Sequence, residues 1–181
     1  LLIGDSHERS QLDAYCSQAG AVVHVLCACA HCHACFDTRR NRIFLNFFLF
    51  GMLSPRHINT RYHIYRAEPQ SSRQRINELL PKLLSDLRLD SLRAVQLNVA
   101  LWDAFSLDDH REALGERAGT ELLRSGVWFS RARQLILGVE ALAQRHGAAT
   151  VLWRNAPPQL QRPSPRVQAD LLQLSALGVA A

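Results

Sequence analysis

The chain has 181 residues, 48% of them hydrophobic, and a formal net charge of +5, which suits one α/β domain, residues 1–181, with a substantial apolar core. No run reaches the roughly 18 apolar residues of a membrane helix, since the longest, residues 44–53, is broken by Asn46 and Gly51. Lys82 is the only lysine, so arginine supplies nearly all of the 21 basic residues, yet no dense basic block, aromatic-interleaved basic strand or helix-turn-helix pattern points to nucleic acid. Guanidinium groups suit bidentate contacts with carboxylates, sulfates or phosphates, acidic polysaccharides included; spread over solvated faces they carry no such meaning.

In chain order, Leu1-Leu2-Ile3 runs straight into Gly4-Asp5-Ser6, which predicts a strand over 1–3 and a chain that begins inside it, as a fragment would. The apolar start has no basic flank and does not read as a signal peptide. Leu12, Tyr15, Cys16 and Ala19 share one face of a first helix. Short apolar runs predict further strands at 22–26, 43–50, 94–97 and 150–153. Between them, Ile76, Leu79, Leu80, Leu83, Leu84 and Leu87 recur at three- and four-residue steps, a helix in which Pro81 makes a kink or a restart. Leu135, Val139, Leu142 and Ala143 mark another helix, stopping at Gly147. Four prolines make 157–165 a loop, and 167–177 is a last helix. Strands alternating with helices predict a mainly parallel sheet whose carboxyl ends line one crevice.

A hydroxyl at the strand end, in Ile3-Gly4-Asp5-Ser6-His7-Glu8-Arg9, stands where a helix begins. There the unsatisfied N–H groups and the positive end of the helix dipole would stabilise an oxyanion formed on Ser6. The same residues also suit a plain helix N-cap, through Asp5 or Ser6. Two distant segments bear on the choice: Gln96-Leu97-Asn98-Val99-Ala100-Leu101-Trp102-Asp103, and Val151-Leu152-Trp153-Arg154-Asn155-Ala156-Pro157-Pro158. Each is a strand running into a polar turn, and both turns would open on the same crevice.

With Gly4-Asp5-Ser6-x-x-Arg9, these blocks resemble the GDS/SGNH hydrolase-like superfamily, in the branch of the PC-esterases and the trichome-birefringence-like polysaccharide O-acetyltransferases. The resemblance spans nearly the whole chain in order and spacing. It implies a three-layer α/β/α sandwich, Ser6 as nucleophile, and an oxyanion hole from the Ser6 amide, Asn98 and Gly51. Asp5, Arg9, Trp102, Asp103 and Arg154 would support the site or hold substrate. Ala100 stands where the family has glycine. The family's Asp-x-x-His block, which supplies the base, has no counterpart: no histidine here has an aspartate three residues before it, and Asp108-Asp109-His110 has the wrong spacing. The expectation is a truncated chain, slowed by about 10⁴ to 10⁶ for want of its base.

The cluster Cys27-Ala-Cys29-Ala-His31-Cys32-His33-Ala-Cys35 admits three readings. Cys29-x-x-Cys32-His33 matches a haem-attachment pattern, with Met52 the only methionine available as an axial ligand. Cys29, Cys32 and Cys35 have zinc-knuckle spacing, completed by His33 or His31. Otherwise the thiols stay reduced or form disulfides, with Cys16 as a partner from the first helix. The resemblance implies work in the secretory pathway, hence disulfides, and calls for no cofactor.

The expected function is thus a serine esterase or O-acyltransferase acting on acylated carbohydrate or a similar small ester. Two alternatives stand beside it: an inactive binding domain of the same fold, and a Cys/His metal-binding protein.

Overall fold

The computed structural model describes residues 1–4, 6–26, 32–49, 51–53, 72–98, 101–154 and 165–180, leaving undescribed the side chains of 6, 7, 102, 109, 171, 175 and 177–180. Six strands form one sheet: β1 (Leu2–Gly4), β2 (Val23–Val25), β3 (His33–Asp37), β4 (Arg42–Phe48), β5 (Ala94–Leu97) and β6 (Thr150–Trp153). The helices are α1 (Ser6–Ala19), α2 (Ser72–Gln74), α3 (Leu80–Asp86), α4 (Leu101–Leu114), α5 (Glu116–Arg124), α6 (Val127–Arg145) and α7 (Pro165–Ala180). The order across the sheet is β2-β3-β4-β1-β5-β6. β4, β1, β5 and β6 run parallel, whereas β2–β3 and β3–β4 are antiparallel.

The sheet is therefore mixed: three of its five pairings are parallel, as a mainly parallel sheet requires, and the antiparallel pairs lie together at the β2 edge. β3 falls on the segment read as a Cys/His cluster, and a short turn joins it to β4. In that turn Asp37 Oδ1 accepts the backbone N–H groups of Arg39 and Arg40, and Asn41 adopts a left-handed φ of 50°. The Tyr15 hydroxyl donates to Asp37 Oδ2 at 2.7 Å, and this bond, with the two N–H donors, holds the Asp37 carboxyl below its ordinary value despite burial.

Alternate side chains of the strands enter two apolar clusters. Leu2 and Phe44 join Leu12, Cys16 and Cys35 on the α1 side. Ile3, Leu45 and Phe47 pack with Leu80, Leu84, Leu107, Trp128, Leu135, Val139 and Leu174 in the larger core. The helix carrying Pro81 restarts rather than breaks: α2 passes through a single π turn, Arg75–Leu79, and α3 begins with Pro81 in its first turn. Proline has no N–H to donate backwards, and the wider π turn absorbs the missing bond while keeping Ile76, Leu80 and Leu84 buried. α4 and α5 were not anticipated over 101–124: the apolar stripe of α4 is weak, and that of α5, although well defined, is confined to nine residues. Among the described residues no helix is long and apolar enough to cross a membrane.

The knuckle reading is corrected at Cys35, whose sulfur is bonded to Cys16 and is unavailable to a metal or a haem. Cys32 is buried and outside any disulfide, and His33 Nδ1 lies 3.1 Å from Asp13 Oδ1. No group of three metal-ligating side chains occurs among the described residues, and Cys29 lies outside them.

Candidate functional site

β1 has β4 on one side and β5 on the other: the chain runs from β1 to the β2–β4 side and then crosses back past β1 to β5 and β6. Open α/β sheets bind ligands outside the carboxyl ends of their strands at such a switch point. Backbone bonds continue the ladder there: Leu49 N–H donates to Gly4 O (2.6 Å), Asn98 N–H to Ile3 O (2.8 Å) and Arg154 N–H to Leu97 O (2.9 Å). The carboxyl ends of β4, β1, β5 and β6 are thus held side by side.

Ser6 is the first residue of α1, directly beyond β1, and Arg9 is half-buried within that helix's opening turns. The Ser6 and Trp102 side chains and all of Asp5 lie outside the described residues. The residue that organises the crevice is Glu8, which is fully buried. Its Oε1 accepts from Asn98 Nδ2 at 3.0 Å and from Arg154 Nη1 at 3.2 Å. One carboxylate thereby joins the first turn of α1 to the ends of β5 and β6. Gly4 is what lets them approach: a Cβ there would lie 2.6 Å from Asn98 O and 2.6 Å from Glu8 Oε2. Glu8 was not singled out from the sequence, although the signal was present. It stands four residues before Leu12 and eight before Cys16, on the face expected in the core.

Asn98 is buried with one amide N–H donated to Glu8; among the described residues the second N–H has no acceptor and Oδ1 accepts no hydrogen bond. Asp103 acts elsewhere. Its Oδ1 takes the N–H groups of Met52 (2.6 Å) and Leu53 (2.7 Å), and its Oδ2 takes the indole N–H of Trp128 (2.6 Å). It is a buried clamp between the turn after β4, α4 and α6. Burial pushes its carboxyl up to about 6, against the pull of those three donors and of the Arg131 charge. Gly51 packs on this clamp with φ of 126°, and a Cβ there would lie 2.5 Å from Asp103 Oδ1. The Gly51 carbonyl accepts from Ser72 Oγ (2.7 Å), so its contacts run to Asp103 and α2.

The arrangement gathers Ser6, Glu8, Asn98 and Arg154 at one crevice and sets Asp103 and Gly51 to work in the wall beside it. The first N–H groups of a helix have no intrahelical acceptor, so the opening of α1 brings backbone donors to the strand ends, beside the Asn98 amide and the Arg154 guanidinium, which is 29% exposed and paired with Glu8. Comparison with known protein families, curated proteins and solved structures finds no match for this chain.

Proposed function

We propose that the chain is a three-layer, SGNH hydrolase-like domain in which Ser6 attacks the carbonyl of an acylated carbohydrate or similar small ester, as an esterase or O-acyltransferase. The observation supporting this reading most directly is the start of α1 at Ser6, on the switch point, with Asn98 and Arg154 drawn to the same strand ends by Glu8. Attack by Ser6 Oγ forms a bond to the acyl carbon and sends the negative charge to the carbonyl oxygen. The Ser6 amide and the spare Asn98 N–H would stabilise that charge, the effect of such donors in acyl transfer. Collapse expels the sugar hydroxyl and leaves an acyl-serine. Water then completes hydrolysis, or a second sugar hydroxyl completes transfer.

The serine proton needs a base, and the Asp-x-x-His block that the resemblance assigns to this role is not within these 181 residues. A serine without a base is a weak nucleophile. The test therefore adds one: the protein is treated with a fluorophosphonate probe and increasing imidazole, and adduct formation is followed by intact mass and peptide mapping. The expected result is a single adduct on Ser6 that forms faster with imidazole and is absent in Ser6→Ala. No adduct at saturating imidazole, or one indifferent to Ser6→Ala, would leave the inactive binding domain as the better reading.

A further inference from the structure

Beyond the ester site, and whether or not Ser6 acts, a second pocket has a chemistry of its own. Its volume is about 250 Å³, and it lies between Gly51 and Met52 after β4, Ser72 and Arg73 of α2, and Arg131 and Gln134 of α6. Two guanidinium groups share it, and no carboxylate is among its described lining residues. Asp103, whose carboxyl feels the Arg131 charge, lies behind Gly51 with both oxygens accepting from Met52, Leu53 and Trp128.

Arg131 is set in advance. Its Nη1 donates to Met52 O (2.7 Å) and Leu53 O (2.9 Å), the carbonyls of the two residues whose N–H groups hold Asp103. One end of the fork is thereby fixed, and its remaining N–H groups have no partner among the described residues. Arg73 and Gln134 likewise have no hydrogen-bond or ion-pair partner there. Two like charges on one small cavity repel until an anion lies between them, and a prepositioned fork loses little entropy in taking one. The Gln134 amide adds neutral donors of the same kind.

We propose that this pocket binds an oxyanion group, a sulfate or phosphate, between Arg73 and Arg131. The group is either a free ion or the substituent of a single sugar, and the cavity, just under the roughly 300 Å³ at which drug-sized ligand sites begin, limits the ligand to about that size.

The experiment is calorimetric titration of the 181-residue protein at constant ionic strength, with chloride as the reference anion. Sodium sulfate, sodium phosphate and glucose 6-sulfate are titrated separately. Saturable binding of a free ion makes the ion sufficient; binding of glucose 6-sulfate alone places the group on a sugar. In either case Arg73→Ala, an exposed change that leaves the Asp103 clamp intact, weakens binding by about tenfold or more, the worth of one charge-assisted contact. Arg133→Ala, which removes an equal charge from α6 outside the pocket, leaves affinity within about twofold, since exposed charges are screened at a distance. Saturation by none of the three ligands, or equal losses in the two variants, overturns the proposal.

Discussion

Glu8 and Asp103 are both buried carboxylates, and their surroundings treat them differently. Glu8 faces a guanidinium and an amide at the strand ends. Asp103 has three neutral N–H donors, and the cost of burying its charge outweighs them, so its carboxyl titrates near 6 rather than at its ordinary 3.8. The native state then holds a proton that the unfolded state has lost between those two values. Stability from this residue is fully present below about pH 4 and is lost as pH rises through about 6, by an amount on the order of 3 kcal/mol. Asp103→Asn lacks this titration, although it turns an amide N–H group toward the Trp128 indole or the two backbone donors. The stability of the wild type minus that of the variant, from urea melts between pH 4 and 7.5, is therefore expected to fall with pH. A flat difference would show that the clamp is ionised throughout. The role of Asp103 was not legible locally: the Asn98-to-Asp103 block announces a polar turn, but only the path of 51–53 supplies the backbone donors.

At the scale of elements, the antiparallel flap is held to α1 by the Cys16–Cys35 disulfide, which links residues 19 apart in sequence. The Tyr15 and Phe44 rings, 4.3 Å between centroids, pack in the same small cluster. Closing a loop of this length restricts the unfolded chain and is worth about 3 kcal/mol. Cys16→Ser is expected to lower the urea midpoint accordingly and to make it indifferent to reductant, while the wild type falls toward the variant when reduced. A wild-type midpoint unmoved by reductant would show that the bond does not form. The pairing could not be chosen from spacing, because four cysteines crowd 27–35 and the zinc and disulfide readings competed for Cys35. Strand pairing across β3 and the face of α1 decide it: Cys35 sits opposite Val23 in the sheet, over the face that carries Leu12 and Cys16.

Across the whole molecule, the helices beyond β5 are joined by a buried ion pair: Arg111 of α4 grips Asp170 of α7 with both Nη atoms, one of them at 2.9 Å. Gly119 of α5 makes room, since a Cβ there would lie 2.6 Å from Arg111 Cγ. Asp170→Ala leaves a guanidinium buried without its carboxylate, a loss of about 3–5 kcal/mol. Arg166, half exposed and 2.7 Å from Glu116, is the contrast: Arg166→Ala should cost no more than about 1 kcal/mol. Comparable urea midpoints for the two variants would sink this distinction. The sequence by itself determined the α/β class, the positions of β5 and β6, the start of α1 at the Gly-Asp-Ser turn, and the apolar faces of α1, α3 and α6. All of these follow from periods of two or 3.6 residues and from turn chemistry, which are local. Only the tertiary structure decided that β2 to β4 form an antiparallel flap, that Cys35 serves a disulfide, that Glu8 gathers Asn98 and Arg154, and that Asp103 turns into the wall. Each of these depends on which distant segment arrives opposite, and a one-dimensional pattern reports that a side chain is buried without reporting against what.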